Sequence, residues 1–431
     1  MRVWLSPVGR YVTLVVLSLS VPSLSTAQAA AGQTPAVRLS MAEAVRLALD
    51  HNHQLLAQRL NVDIARADEI TAALKPNPVV TTLNQAFPVF SPSQLTPDNL
   101  ANIPSYTESL SYLFERGKKR ENRTVVAQDS TVVASQTSAD AERQLVFQTR
   151  QTFINVLLAK STLDLAREDL QNFSDVVEVN RQRMNLGDLA EGDFYKISVQ
   201  QLQFEQDVSA AEVALVQAKA ALRQDLGVET IPEDFDVDGD LTYTKYAVTL
   251  DDLKRQAEAS RPDLQAAQSG TKLARDTQAL AFSNRVIDVT GEIEYERFGP
   301  VNGMGFFVSV PLPIHDRNQG NIAHSQVAIR QASETELQAR TTVVTDVVTA
   351  YAAFQANEKI VSIFQSGYLD QATQSLQISR YVYQQGSGNL LDLLDAERTN
   401  RATQLAFRQA LAAYMTSVQQ INFAVGMQVM P

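Results

Sequence analysis

Apolar residues recur every seven positions in the segment between Gly117 and Met184. A seven-residue repeat of this kind is typical of a coiled-coil helix, whose apolar seam faces a neighbouring helix. The segment contains no proline, and at 1.5 Å per residue one continuous helix would be about 100 Å long. An ordinary helical bundle has the same repeat, but no compact domain needs a helix of that length. The repeat consists of Val156, Leu163, Leu170, Val177 and Met184, with Ala159, Ala166 and Phe173 in the companion position.

In each half of the chain, a second heptad pattern follows the long helical segment. It predicts a return helix that runs antiparallel to the long one. Many seam residues are small, which suits close helix packing in a curved wall. Ser40–Leu74 and Asp193–Leu226 together equal the long helix in length, so we expect them to pack end to end beside it. The return seams comprise Ile197, Phe204, Ala211, Ala218, Val208, Leu215 and Leu222 in the first half, and Ala396, Thr403, Ala410, Ser417, Phe407, Tyr414 and Ile421 in the second.

Four shorter runs alternate between apolar and polar residues, which is the two-residue period of a β-strand. Each run has about ten residues, the length of a tilted transmembrane strand, although a soluble half-buried hairpin has a similar pattern. Four strands cannot close a membrane barrel, so several chains must share one, and three chains would supply about twelve strands. The apolar positions are Val79–Phe87 in the weakest run, Leu110, Tyr112 and Phe114 in the second, Ile287, Val289, Ile293 and Tyr295 in the third, and Phe306, Val308, Val310 and Leu312 in the fourth.

The two halves of the chain have the same order of predicted elements: a helix, two strands, a very long helix, a glycine turn and a return helix. Ser40 with Glu43 and Thr249 with Asp252 both fit a helix N-cap followed by an acid at the third position. We therefore divide the chain into a signal peptide, a first repeat, an equatorial linker and a second repeat. These are residues 1–29, 30–227, 228–247 and 248–431. Further matched pairs are Arg181 with Arg380, Gly187 with Gly386, and Asp193 with Asp392.

The N-terminus has the pattern of a secretory signal, with Arg2 and Arg10 before an apolar stretch and Ala27-Gln28-Ala29 as the cleavage site. A membrane anchor is the alternative interpretation of this stretch. The chain has no cysteine, which excludes disulfides, thiolate metal sites and a lipoprotein anchor. The net charge of −11 argues against a nucleic-acid partner, because such surfaces are basic.

With these features the chain resembles the TolC family of outer-membrane efflux proteins over nearly all of its mature length. The resemblance rests on the paired repeats, on Lys75-Pro76-Asn77-Pro78 and Ser283-Asn284-Arg285 at the helix-to-strand junctions, and on the hairpin tips. The stretch from Val308 to Ile314, followed by residues 316–322, is similar to the CzcC-type branch of cobalt–zinc–cadmium efflux. The resulting fold class is mainly α with a small β part. We expect a long antiparallel coiled-coil α-barrel joined to a four-strand contribution to a shared transmembrane β-barrel, with two internal repeats.

The resemblance implies a homotrimer in the outer membrane that contacts lipid there and extends into the periplasm. Its partners would be a periplasmic adaptor, or membrane fusion protein, and an inner-membrane pump of the RND type. The duct itself would conduct passively. A periplasmic coiled-coil adaptor with soluble strands is the alternative, and a multidrug duct is the alternative to a metal duct.

The resemblance also assigns candidate working residues at the periplasmic end. Asp392 and Asp395 match acidic residues that narrow the family's entrance, where rings of carboxylates favour cations; a solvated helix face is the alternative. Tyr383 matches a tyrosine that latches the closed state, but its basic partner falls at Gly388. The tips that match the adaptor-docking sites are Gly187, Asp188 and Leu189, and Gly386, Ser387 and Gly388.

We find no catalytic motif and no cofactor-binding motif in the sequence. It has four histidines, of which His51 and His53 are two residues apart and would point away from each other on a helix. His315 and His324 have no histidine partner nearby in the sequence. We therefore expect no metal site built from histidines and no enzymatic activity.

Overall fold

The computed structural model describes residues 37–87, 89–102 and 104–431. The predicted signal peptide, residues 1–29, lies outside the described residues. The helices are α1 Met41–His51, α2 His53–Ala73, α3 Pro97–Asn102, α4 Lys119–Asn185, α5 Glu191–Leu226, α6 Leu250–Ser260, α7 Pro262–Asn284, α8 Gln319–Ile363, α9 Leu369–Gln384 and α10 Leu390–Val425. The strands are β1 Arg38–Leu39, β2 Val79–Gln85, β3 Ser105–Phe114, β4 Asp236–Val237, β5 Val289–Phe298 and β6 Val301–Ser309. The prediction of a mainly helical protein with a small sheet is confirmed.

Helix α4 is the continuous helix that the heptad pattern predicts, with 67 residues. Its seam residues Val156, Leu163 and Val177 are buried, as is Phe173 in the companion position. At 1.5 Å per residue the helix is about 100 Å long. It forms the central column against which both halves of the chain pack.

The shorter helices flank α4 in columns. α2 packs on its N-terminal part, where Arg59 pairs with Glu142, and α5 packs on its C-terminal part, where Glu212 pairs with Arg167. The predicted end-to-end arrangement is thus confirmed. α7 and α10 pack on α4 as well, and α8 packs against these two helices. The result is an open arc, with α2 and α5 at one edge and α8 at the other.

The predicted helix Ser40–Leu74 is in fact two helices, and this part of the sequence prediction is wrong. Asn52 ends α1 and caps α2, since its Oδ1 accepts a hydrogen bond from the backbone N–H of Leu55. Its Nδ2 donates to the carbonyl of Asp225 at 3.0 Å, which joins the break to the end of α5. The cap at Ser40 is confirmed, because its side chain and that of Glu43 form the reciprocal bonds of a capping box. The Thr249 side chain likewise accepts from the Asp252 N–H.

The long helix predicted in the second half is interrupted as well. α8 ends at Ile363, and a turn with π-type hydrogen bonding, Phe364–Tyr368, connects it to α9. Gly367 in this turn has φ of 118°, a conformation that side chains other than glycine rarely adopt. The second half therefore has a kink where α4 is continuous.

The four long strands form one antiparallel sheet in the order β2-β3-β5-β6. The register places Leu110 opposite Ile293, and Ile293 opposite Phe306, so the predicted apolar residues share one face. Glu292 and Glu294 lie on the other face. The fourth strand ends at Ser309 and not at Leu312, because Pro311 and Pro313 have no backbone N–H to donate to a neighbouring strand. Likewise β2 ends at Gln85, two residues before the predicted limit at Phe87.

The segment 228–247 is packed against both halves. Its strand β4 pairs in parallel with β1, and Phe235 is fully buried beside Leu222 and Leu226. Further along, Tyr243 lies 5.0 Å from the ring of Tyr414 on α10. The boundaries of the two repeats on either side of this segment stay a prediction. None of the helices in the described ranges combines the length and apolar character that a membrane span requires.

Candidate functional site: the tips of the helical hairpins

The chain turns back at two hairpin tips, one between α4 and α5 and one between α9 and α10. At the first tip the N–H of Gly187 donates to Met184 at 3.0 Å and that of Asp188 to Arg183 at 2.9 Å. At the second, Gly386 donates to Tyr383 at 3.0 Å and Ser387 to Val382 at 3.1 Å. This pair of bonds is the Schellman motif, which requires a left-handed residue after the helix. Gly187 and Gly386 supply it, with φ of 82° and 71°.

Gly388 serves the second tip in another way. A Cβ at this position would lie 2.9 Å from the backbone nitrogen of Tyr383 and 3.1 Å from the carbonyl carbon of Val382. The close approach of the two backbone segments therefore excludes any side chain at position 388. The basic residue that the family places here has no room in this chain. Asn389 then caps α10 by accepting a bond from Leu391 at 3.1 Å.

Tyr383 joins the two hairpins. It is buried, and its hydroxyl donates to Oδ1 of Asn180 on α4 at 2.7 Å. Asn180 is itself buried and donates from Nδ2 to the carbonyl of Val176 at 2.7 Å, which fixes the orientation of its amide. Burial raises the pKa of Tyr383, so the phenol stays protonated and acts as the hydrogen-bond donor.

A basic residue does accompany Tyr383, but it comes from the other hairpin. The guanidinium carbon of Arg183 lies 5.5 Å from the centre of the Tyr383 ring, within the range of a cation–π contact. Asn180 and Arg183 were not among the residues that the sequence pointed to. They lie about 200 residues from Tyr383 in the chain, and no local pattern indicates a contact over that separation.

The apolar contacts at the tips also cross between hairpins. Phe173, Val177, Ile197 and Phe204 form a buried cluster, in which the rings of Phe173 and Phe204 stack with centres 4.5 Å apart. Leu189, a candidate adaptor-docking residue, is half-buried against this cluster. Leu390 and Leu394 of α10 pack on the same cluster. Gly187, Asp188, Gly386 and Ser387, in contrast, are exposed.

Asp392 and Asp395 lie one turn apart on the exposed face of α10, opposite the buried Leu393. Asp395 pairs with Arg398 at 2.8 Å, and both side chains are largely exposed. Such surface pairs contribute little to stability. Asp392 lies in the first turn of its helix, where a negative charge is favourable. Acidic rings need further copies of the chain, so the constriction by these aspartates and Tyr383 stays a prediction.

The histidines do not come together. His51 ends α1 and His53 begins α2, so the two do not share one helix as the sequence suggested. His53 lies 3.5 Å from Glu229 at an exposed position. Within the described ranges, no group of three histidine or acidic side chains is placed to hold a metal ion.

Residues 253–427 match the family described as Outer membrane efflux protein. The chain is 25% identical over 372 residues to the cobalt-zinc-cadmium resistance protein CzcC of Cupriavidus metallidurans, and the match covers 84% of each chain. Among solved structures it is similar to the CmeC outer membrane channel of Campylobacter jejuni, with a TM-score of 0.76 and 14% identity, over 91% of this chain and 87% of that one. It is also similar to the open state of the MtrE outer membrane channel of Neisseria gonorrhoeae, with a TM-score of 0.74 and 20% identity, over 90% and 89% of the two chains.

Proposed function

We propose that the chain, whose residues 253–427 match the Outer membrane efflux protein family, is the exit duct of a tripartite efflux system. Solute delivered by an inner-membrane pump and a periplasmic adaptor would pass through it passively. The proposal rests on one observation: in a single chain both the sheet and the helical arc are open. The open edges of the sheet are connected in sequence to the open edges of the arc. A ring of copies would close both.

The edges of the sheet are β2 and β6, and neither has a second strand partner within the described chain. β2 follows α2, which is an edge of the helical arc, and β6 precedes α8, which is the other edge. A contact in which the β2 side of one copy meets the β6 side of the next would extend the sheet and the arc together. Such head-to-tail contacts generate rings. Three copies would supply about twelve strands, enough for an aqueous lumen.

The helical edges carry apolar side chains that are exposed in the single chain. Ile64 is 60% exposed, Val216 68% and Leu337 58%. Large exposed apolar patches mark interaction surfaces, and burial between copies would account for this one. The residues are Leu56, Leu60, Ile64 and Ile70 on α2, Tyr195, Val199, Leu202, Val213 and Val216 on α5, Val327, Leu337, Val348, Ile360 and Ile363 on α8, and Ile378 and Tyr381 on α9.

The two faces of the sheet fit lipid on one side and water on the other. Ile293, Met304, Phe306 and Val308 are exposed on one face, as a lipid-facing surface requires. Glu292 and Glu294 lie on the opposite face, which would line the lumen. In a soluble periplasmic adaptor, an exposed apolar sheet face would be in contact with water, which is unfavourable. The apolar face of this sheet therefore favours the outer-membrane duct.

For the substrate we propose divalent heavy-metal cations. Support comes from the acidic lumen face of the sheet, from Asp392 and Asp395 near the second tip, and from the likeness to a protein named for cobalt, zinc and cadmium resistance. Carboxylates along a pore attract cations and repel anions. The contact of Tyr383 with Asn180 would hold the hairpins together in the closed duct, and the glycine tips would meet the adaptor.

Two measurements test the duct. Native mass spectrometry of the full chain in detergent should give three copies, and planar bilayers should show discrete single-channel currents with cation selectivity. A stable monomer, or a trimer that conducts no ions under any condition, would contradict the proposal.

Deleting the gene in the host and measuring cobalt, zinc and cadmium tolerance tests the substrate. Unchanged tolerance with lost drug tolerance would favour a multidrug duct.

A further inference from the structure

A cavity of about 460 Å³, open to solvent, lies between α4, α5 and α10 within one chain. It exists because the three helices present small side chains to one another at this level: Ala166, Ala210, Ala211, Ala214 and Ala402. The heptad pattern predicts close packing at such alanines, yet here they leave space. The volume falls in the range of cavities that hold drug-sized molecules.

One carboxylate on the wall of this cavity has no partner. Asp169 of α4 lines the cavity, and its Oδ2 is sealed from solvent without a hydrogen-bond partner among the described residues. Burial raises the pKa of Asp169 to about 6. At neutral pH the group is therefore mostly ionised, and a half-buried charge without a counter-ion is costly.

Most of the other charged side chains around the cavity are paired with one another. On α10, Arg401 pairs with Asp207 of α5, and Arg398 pairs with Asp395 at 2.8 Å. The remaining charged groups near Asp169 are Glu168 on its own helix and Glu397 and Arg408 on α10. Glu397 pairs with Arg380 at 2.7 Å, and Arg408 bonds to Ser161 and Gln404. The charge that the cavity leaves uncompensated is negative.

We propose that this cavity is a binding site for a small amphipathic organic cation. An ammonium group would pair with the carboxylate of Asp169 through Oδ1, because Oδ2 is the oxygen that is sealed from solvent. A compact apolar body would fill the space between the alanines, Leu165 and Leu405. The walls come from α4 and α5 in one half of the chain and from α10 in the other. An occupant would therefore stabilise the contact between the two helical hairpins.

The proposed contacts between copies would not involve this site. Its three walls belong to one chain, whereas the exposed apolar edges that would join copies lie on other faces of α2, α5, α8 and α9.

Binding also has a defined pH dependence, because the cation pairs with the ionised carboxylate. Its affinity is full above the pKa and falls as pH drops below about 6. An amine that stays protonated throughout should bind about tenfold more weakly at pH 5 than at pH 7.

Three probes with one apolar body test the site: adamantan-1-amine, adamantan-1-ol and adamantane-1-carboxylate. They are titrated calorimetrically into the full chain in an uncharged detergent. We expect saturable binding of the amine at least tenfold tighter than that of the alcohol, and none of the carboxylate. Asp169→Asn should remove the preference for the amine. Asp164→Asn, an exposed aspartate one turn and a half earlier on α4, is the matched control and should keep it.

Ala210→Leu fills the cavity and should weaken binding of both the amine and the alcohol. This variant and the pH series on the unaltered chain test binding in the cavity even if Asp169→Asn fails to fold. Equal binding of amine and alcohol overturns the proposal. So does an amine affinity that is unchanged by Asp169→Asn or by pH between 7 and 5, and so does the absence of saturable binding.

Discussion

At the scale of single residues, the contact between Tyr383 and Asn180 is the best-defined link between the two hairpins. Both side chains are buried, and each polar group involved has one partner. Removing a donor from such a pair leaves the acceptor desolvated, which costs more than the net value of the bond. The contact therefore holds α9 against α4 even though the exposed ion pairs nearby contribute little.

Replacing Tyr383 by phenylalanine keeps the ring and removes the donor to Asn180. We expect a loss of about 1–3 kcal/mol in the free energy that holds the hairpins together, because Oδ1 of Asn180 is left unsatisfied. In planar bilayers the open probability of the channel should rise. Tyr368→Phe is the control, since Tyr368 is 57% exposed and is not part of the proposed edge between copies. If Tyr383→Phe behaves like this control in both thermal unfolding and open probability, the contact does not hold the duct closed.

Asp392 and Asp395 are tested by their replacement with asparagine in one double variant. If they ring the entrance, six carboxylates in a trimer attract cations, so the variant should lose cation selectivity and be blocked less by multivalent cations from the periplasmic side. Folding should survive, because exposed substitutions change stability by less than about 0.5 kcal/mol. Asp370→Asn, an exposed aspartate in the first turn of α9, is the control. Unaltered selectivity and block in an intact trimer would mean that the constriction lies elsewhere.

The sequence predicted the candidate positions at the tips but not their surroundings. Tyr383, Asp392 and the tip glycines are recognisable from local patterns and from the resemblance to a family. The partners Asn180 and Arg183 are not, because they reach Tyr383 only after two hairpins have packed. The same holds for Asp169, whose unpaired carboxylate depends on how three separate helices meet.

At the scale of elements, the two tips use glycine for different physical reasons. Gly187 and Gly386 need positive φ, whereas Gly388 needs the absence of a side chain. Gly388→Ala should destabilise the second tip by about 1–3 kcal/mol, as overpacking usually does. Gly192→Ala, where a Cβ would meet nothing within 4 Å, should be neutral or stabilise α5 by up to about 1 kcal/mol. Hydrogen exchange of amides in α9 and the first turns of α10 measures the difference. Equal protection in the two variants would contradict the packing argument.

The heptad and two-residue periods predicted where elements lie better than where they end. α4 agrees with its pattern, since Val156, Leu163 and Val177 of its seam are buried. The break at Asn52 and the kink at Gly367 were missed, because a single asparagine or glycine within a helical pattern is tolerated and does not specify a break. The end of β6 was predictable, since Pro311 and Pro313 cannot donate to a neighbouring strand.

At the scale of the whole molecule, the open edges determine how copies would associate in the proposed duct. The apolar edge on α2 and α5 differs from the edge on α8 and α9, so a contact between them is head-to-tail and not symmetric. Repeated around an axis, such a contact gives a closed ring and leaves no strand edge in lipid, where unpaired backbone groups are not tolerated. If two copies met through the same edge, for example α2 and α5 of each, the α8 and α9 edges of both copies would stay exposed.

This asymmetry gives a sharp test with two variants, Ile64→Asp on the α2 edge and Leu337→Asp on the α8 edge. Each alone should be largely monomeric in native mass spectrometry, because every contact in the ring buries the altered edge. Mixed together, they should form a one-to-one heterodimer that goes no further, since each contributes the edge that the other lacks. Val132→Asp, on the exposed face of α4 in the middle of the arc, is 46% exposed in the unaltered chain and should leave the trimer intact. If the mixture forms trimers, or stays monomeric while each variant is folded, the contact between copies is not the head-to-tail one that the open edges require.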